Sequence, residues 1–561
     1  MPGRGALARI ALFALVALMT LAWLGSLSAR HLDKTDEGRY AEIPREMLAS
    51  GDWLTPHLDG LKYFEKPPLQ YWGSAAAYRA FGVSEWSSRL WCGLCSLLGV
   101  FVIGFTGSRL FGARAGAFAA AVLASSLLYL LMGHLDTLDM GLTFFMEAGL
   151  CAALLARADD QPGRARNWML GAWIAFALAV LSKGLIGIVL PGAVLTLYLA
   201  LTRDWVFLRR ILTWRGMLAF LVIGAPWFIA VSVVNPDFAR FFFIHEHFER
   251  FLTNSAHRAG PWWYFIPVIA LGAVPWLSWL PAALWNGARR DAPASIPAAS
   301  PEARFAPALL LVLWSAFIFV FFSVSSSKLP SYVLPIFPAL ALLIGRHLDG
   351  ASPRSLRVHA AIVALAALGL AAVAWNASRL APPRTPPDGL EVAAYAAFGR
   401  WLLAASLVWL GGALALAGLA RRATRAALFA FALAGIGAGL IALCGYSALD
   451  RYASSYYVAQ ALRGTIDENG ALYSVEMYDQ SLPFYLGRTM TLVNQRDELD
   501  FGLNQEPAKG VPTLDAFAQR WRADASATAV MPPTTYRKLV AMNLPMRVIL
   551  ADRRFVVVSK P

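Results

Sequence analysis

The chain has 561 residues, 58% of them hydrophobic, and a mean hydropathy of +0.53. Those values exclude a soluble globule and define a polytopic membrane protein. The formal net charge of +14 is accounted for by arginine clusters between apolar spans and by anionic lipid; no aromatic–basic nucleic-acid motif accompanies it.

About thirteen hydrophobic spans can be marked along the chain, centred on 8–28, 89–109, 113–132, 138–156, 168–182, 184–201, 216–235, 262–286, 305–325, 330–348, 358–376, 399–420 and 425–446. The first lacks a small-x-small cleavage pattern and reads as a retained span. Every second loop is an arginine cluster, from Arg109/Arg114 to Arg421/Arg422/Arg425. The positive-inside rule therefore puts those loops in the cytoplasm and the alternate loops outside. Cys92, Cys95, Cys151 and Cys444 all lie in apolar spans, where packing is the expected role of cysteine.

Between the first two spans, residues 29–88 form a loop with two predicted interfacial helices. Thr35 is placed to cap the first, with Asp36 and Glu37 in its opening turn, Pro44 set to kink or break it, and Gly51 to end it. Pro67-Pro68 opens the second and Gly82 closes it. The tail, 448–561, alternates predicted strands (471–475, 489–493, 527–531, 554–558) with helices (454–463, 514–523, 534–541), the pattern of a small α/β domain. The domain reading is thus a transmembrane part, 1–447, that includes the 29–88 loop, followed by an extracytoplasmic α/β part, 448–561.

Residues able to carry chemistry gather in the alternate, outward loops. Asp36 and Glu37 are acids at a helix start, where capping charge is the bland alternative. Lys66 sits beside a helix N-terminus, an anion-binding arrangement, with interfacial snorkelling as its alternative. Asp136 and Asp139 are three apart at the mouth of the fourth span, where acids are read as functional or simply solvated. Lys183 and Lys328 each follow a serine at a span mouth. Glu65 with His245 or His247 could form a zinc-like site, against the alternative of hydrogen-bonded interfacial histidines. The inventory of carboxylates, cations and aromatics around an apolar bundle suits a substrate with an anionic head and a hydrocarbon tail. It contains neither a GxSxG elbow nor a HExxH pair.

An Asp-Glu-x-Arg-Tyr-Ala-Glu-Ile motif follows the first span. With it come Tyr63-Phe64-Glu65-Lys66-Pro67-Pro68, Ser182-Lys183-Gly184, Glu246-His247-x-x-Arg250-Phe251 and Ser327-Lys328-Leu329-Pro330-Ser331-Tyr332. Together these resemble the undecaprenyl phosphate-aminoarabinose lipid A transferases, a family of GT-C glycosyltransferases, over nearly the whole chain. The resemblance implies a GT-C membrane bundle with a soluble α/β tail in the bacterial inner membrane, its active site periplasmic. It implies transfer of 4-amino-4-deoxy-L-arabinose from undecaprenyl phosphate to a lipid A phosphate, giving resistance to cationic peptides such as polymyxin. By residue it implies Asp36, Asp139 and Glu37 as catalytic; Lys66, Arg250 and Arg39 on the donor phosphate; and Lys183, Lys328, Tyr332 and Arg258 on the acceptor or head groups. The chemistry requires no cofactor, and a bound divalent metal, held by Glu65, His247 and His245, is allowed. The rival readings are a sibling GT-C enzyme of the protein O-mannosyltransferase kind, a lipid transporter and a non-enzymatic scaffold. Transport is disfavoured by spans that read as clean, with charge collected at one surface.

Overall fold

The structure is a computed structural model and describes residues 4–249, 260–289, 305–383, 388–467, 469–495 and 497–561. It divides into two compact units. The first comprises Met1–Ala29 and Arg89–Ala448; the second comprises Arg30–Ser88 and Leu449–Pro561.

The first unit is a helical bundle. Nine described helices are long and apolar enough to cross a membrane, and the pair Phe265–Gly272 and Leu277–Ala288, bent by 113°, makes a tenth if it counts as one span. Three more of the predicted spans fall on shorter apolar helices, Ala14–Ser28, Ala113–Ser125 and Ile186–Thr202. The core is aliphatic and aromatic, with Trp276, Trp279 and Trp314 fully buried. Cys92, Cys95 and Cys151 are buried free thiols. Small residues set the closest helix approaches: a Cβ on Gly345 would stand 2.5 Å from the Ala119 backbone nitrogen. One span departs from the clean pattern. Glu147, midway along helix Leu138–Ala158, is fully buried. Its carboxyl lies against Gly99, where a Cβ would meet Glu147 Oε1 at 2.2 Å, and neither of its oxygens has a hydrogen-bond partner among the described residues.

The second unit is a mixed α/β fold, and the stretch after the first span packs with the tail. Its hairpin pairs β1 (His57–Leu58) with β2 (Leu61–Lys62). Its sheet has the order β5-β4-β3-β6-β8-β7. The strands are β3 (Ala471–Val475), β4 (Thr491–Val493), β5 (Gly510–Val511), β6 (Ala527–Met531), β7 (Arg547–Ala551) and β8 (Val556–Ser559). The pairs β3/β4, β3/β6 and β4/β5 are parallel, and β8 pairs antiparallel with β6 and β7. The central strand β6 is buried at every position, as expected of a strand covered on both faces.

The two helices predicted in 29–88 are Asp36–Ser50 and Leu69–Phe81. Gly51 (φ 74°) and Gly82 (φ 81°) end them in conformations that glycine adopts without strain. Two local expectations fail. The Thr35 side chain makes no cap; instead the Glu37 carboxylate accepts the backbone N–H of Asp33 at 3.0 Å and the Arg30 guanidinium at 2.6 Å. Pro44 does not break the helix, which runs unbroken through it. Rather than presenting one apolar stripe, helix Asp36–Ser50 is buried continuously from Glu37 to Pro44. It packs on helices Leu69–Phe81 and Ser481–Leu486. Gly38 makes the second contact possible, because a Cβ there would fall 2.4 Å from the Ser481 backbone nitrogen.

Candidate functional site

In the second unit, the start of helix Asp36–Ser50 is held by the tail. The Leu32 N–H donates to the Tyr485 hydroxyl at 2.7 Å, the His31 N–H to Asp450 at 2.9 Å, and the Lys34 N–H to the Ala453 carbonyl at 2.9 Å. Further along, the Met490 N–H donates to Asp59 at 2.6 Å. These bonds fix the backbone from which Asp36, Glu37 and Arg39 project.

Asp36 is the most open of the three, with its side chain 40% exposed and an oxygen 3.7 Å from Arg39 Nη1. Glu37 is buried in its pair with Arg30. Arg39 reaches Glu498 of the tail at 2.6 Å, and Gln480 Nε2 donates to the other Glu498 oxygen at 2.6 Å. Burial lifts the Glu498 carboxyl above the usual carboxylate range, against the pull of Arg39. Tyr63, Tyr40 and Glu65 also act electrostatically on Arg39, and burial holds both phenols well above their ordinary pKa. Lys66 Nζ donates to the Glu65 carbonyl at 2.8 Å and stands 4.0 Å from its carboxylate. One side of this unit thus brings together Asp36, Arg39, Glu65, Tyr63 and Glu498. The sequence offered no signal for Glu498, an acid in an irregular segment before helix Asp500–Gln505.

In the first unit, Asp139 and Lys183 form one ion pair at 2.5 Å, with side chains 11% and 15% exposed. Asp139 stands in the first turn of helix Leu138–Ala158 and Lys183 in the last turn of helix Pro162–Lys183. These helices pack closely, so each charge sits where the helix dipoles favour it. Lys183 Nζ lies 5.1 Å from the centre of the Tyr332 ring, within cation–π range. Asp136 precedes the helix, so it and Asp139 do not share a helical face. Lys328 is buried and donates to the carbonyls of Phe322, Ser323 and Ser325 at 3.2, 3.0 and 2.9 Å. Its three protons close the C-terminus of helix Pro307–Val324.

Arg250 and Arg258 lie outside the described residues. His245 and His247 fall on the π-helix Arg240–Glu249, but their side chains also lie outside them. Among the described residues, no group of three or more His, Cys, Asp and Glu is placed to hold a metal. Of the predicted metal set only the Glu65 side chain is described, and its neighbour is Lys66.

With the bundle, the paired charges and the α/β tail in view, the family models, relatives and solved structures similar to this chain make it a membrane glycosyltransferase of the GT-C class. The aminoarabinose transferase C-terminal domain model matches residues 458–560, and the dolichyl-phosphate-mannose-protein mannosyltransferase model matches residues 6–242. An undecaprenyl phosphate-alpha-4-amino-4-deoxy-L-arabinose arabinosyl transferase of Aeromonas hydrophila is 30% identical over 527 residues, 91% of each chain. The corresponding enzyme of Edwardsiella ictaluri is 32% identical over 370 residues, and this chain spans 63% of that relative's length. The crystal structure of ArnT from Cupriavidus metallidurans bound to undecaprenyl phosphate superposes with a TM-score of 0.91 at 39% identity, covering 98% of both chains. The chain belongs to the undecaprenyl phosphate-alpha-4-amino-4-deoxy-L-arabinose arabinosyl transferase family.

Proposed function

We propose that this chain transfers 4-amino-4-deoxy-L-arabinose from undecaprenyl phosphate to a phosphate of lipid A. It works in the bacterial inner membrane, with the 30–88 stretch and the tail on the periplasmic side. The observation that carries the reading is the 39% identity to ArnT across 98% of both chains. The alternation of arginine-rich loops supports the orientation.

In this reaction the sugar C1–O bond to the donor phosphate breaks, and its electron pair leaves with undecaprenyl phosphate. A lipid A phosphate oxygen forms the new bond to C1. The nucleophile is already largely ionised, so stabilising the leaving group matters more than a strong base. Lys66, Arg39 and Arg250 take the donor phosphate. Asp36, the open acid of its helix, removes a residual acceptor proton and faces the developing positive charge on the sugar. Glu37, locked to Arg30, positions Asp36. Asp139 takes the sugar ammonium. Lys183, Tyr332 and Arg258 meet acceptor head groups, and Lys328 ties the end of helix Pro307–Val324 to the short 3-10 helix Pro330–Ile336 that carries Tyr332. A divalent ion on Glu65, His247 and His245 would be structural, and no step depends on it. The product carries a cationic sugar on an anionic lipid, which weakens binding of cationic peptides such as polymyxin.

Mass spectrometry of lipid A tests this. The chain is expressed in a strain lacking its own transferase, and the expected result is a mass increase of one aminopentose. An unmodified lipid A, with the protein present in the membrane, would overturn the reading.

A further inference from the structure

We propose that Glu147 is a neutral carboxylic acid that donates its proton to the Tyr129 hydroxyl and thereby positions the membrane helix that carries Asp139. Glu147 lies midway along helix Leu138–Ala158, and no part of it is exposed. Among the described residues no charged side chain acts on it. Its titratable neighbours are Cys95, Tyr129 and Cys151, all buried. A carboxylate in that setting would be a charge in hydrocarbon with neither water nor cation beside it, so the acid form is the one the bundle accommodates.

The acid form brings a donor, and the geometry supplies its acceptor. Tyr129 spends its single proton on the Ser96 carbonyl at 3.0 Å, which leaves its oxygen to accept. Gly99 marks where the two groups meet. A Cβ there would stand 2.2 Å from both the Tyr129 hydroxyl oxygen and Glu147 Oε1, so these oxygens share the space that any larger residue would fill. Neither Glu147 oxygen has a hydrogen-bond partner among the described residues, and turning the carboxyl proton onto Tyr129 removes that deficit. An ionised Glu147 would instead set its oxygen beside a phenol oxygen with no proton between them. Thr143, one turn earlier on the same helical face, has a buried hydroxyl that also lacks a partner and suits the other carboxyl oxygen.

The effect reaches the site through the helix. Asp139 opens the same helix, about two turns before Glu147. Tyr129 is tied through Ser96 to helix Glu85–Phe111. A bond from Glu147 to Tyr129 therefore sets how far helix Leu138–Ala158 turns and slides against its neighbours. That in turn sets where Asp139 stands against Lys183. Glu147 touches no substrate and is a positioning residue; its effect on turnover rests on the reading of Asp139 as part of the transferase reaction.

The test compares the full chain with Glu147→Gln and Glu147→Leu, each purified into lipid nanodiscs. The infrared difference between the unmodified chain and Glu147→Gln should contain one protonated carboxylic C=O band that persists from neutral to alkaline pH. The buried acids of the second unit are common to both proteins and cancel. Glutamine keeps a side-chain N–H for Tyr129, whereas leucine keeps the bulk and loses the donor. Against the polyprenyl-phosphate aminosugar, kcat/KM should stay within about twofold in Glu147→Gln and fall about tenfold in Glu147→Leu, the effect of one hydrogen bond. A carboxylate band in place of the acid band would overturn the proposal whether or not the leucine variant folds. So would unaltered kinetics in Glu147→Leu, or kinetics in Glu147→Gln as poor as in Glu147→Leu. An unmodified chain that transfers no sugar would sink the functional reading, while the infrared band would still decide the state of Glu147.

Discussion

The guanidinium of Arg39 stands 2.6 Å from the carboxylate of Glu498, with their side chains 10% and 13% exposed. An arginine from the stretch after the first span is thereby fixed by an acid from the tail. Removing one member of a buried pair leaves the other uncompensated, at about 3–5 kcal/mol. Glu498→Gln should lower the melting temperature of the purified protein. It should also raise the KM for the polyprenyl-phosphate sugar more than it lowers kcat, because Arg39 loses its position. A variant with unaltered KM would take Arg39 out of donor binding.

Gly38 lies in the acidic motif, yet its visible role is packing. A Cβ at this position would stand 2.4 Å from Ser481 N and 2.7 Å from Ser481 Cα, both backbone atoms that cannot swing aside. Gly38→Ala should cost about 1–3 kcal/mol as an overpacked contact, seen as a lower melting temperature with loss of activity in parallel. Gly163→Ala, at a position with no atom within 4 Å, is the control and should leave both unchanged. Equal behaviour of the two variants would mean that the helix is free to shift away from Ser481.

Protonation of the second unit can be followed through Glu46. Its carboxylate accepts the N–H groups of Asp59 at 2.6 Å and Gly60 at 2.8 Å. Burial, followed by the neighbouring charge of Glu42, raises its pKa from 4.5 to about 8. Between those values the folded state binds more protons than the unfolded state, so stability falls as pH rises through the window. The melting temperature should therefore decline from pH 5 to pH 8, and Glu46→Gln should flatten that decline. A slope unchanged in the variant would place the proton elsewhere, with Asp59 the next candidate because burial also raises its pKa.

The parts of this molecule legible in the sequence are those set by local pattern. Apolar runs bounded by arginines located the membrane helices, and short, mostly apolar runs located β3 and β6 at 471–475 and 527–531. Strand β7 escaped because Arg547 opens it and it is mostly exposed, so no alternation marks it. Helix Ser481–Leu486 is six residues long, contains Pro483 and shows no stripe. The union of the 30–88 stretch with the tail was illegible because it is made by backbone N–H groups of Leu32, Lys34 and Met490 and by the bare backbone of Gly38, which leave no complementary pattern in the sequence. Glu147 was passed over because one acid barely alters the mean hydropathy of its span, 1.5. At the site, sequence pattern pointed to Asp139 and Lys183 separately, but only the fold pairs them. It pointed to Lys328 as well, whose protons the fold directs to helix carbonyls.

The Asp139–Lys183 pair offers a way to separate chemistry from architecture. If the pair served only to join two helix ends, neutralising both members would undo the damage of neutralising one. Asp139→Asn leaves the Lys183 ammonium in a largely buried place, and Lys183→Gln does the reverse to the carboxylate. Each single variant should melt at a lower temperature, and the double variant should recover most of that loss, because coupled neighbours do not add. Activity should behave differently. Asp139 is assigned to the sugar ammonium and Lys183 to an acceptor head group, so kcat/KM should stay low in the double variant even where stability returns. Thermal melts and steady-state kinetics on the same four proteins decide the matter. Joint recovery of stability and kcat/KM would make the pair a structural clasp and remove Asp139 from the reaction.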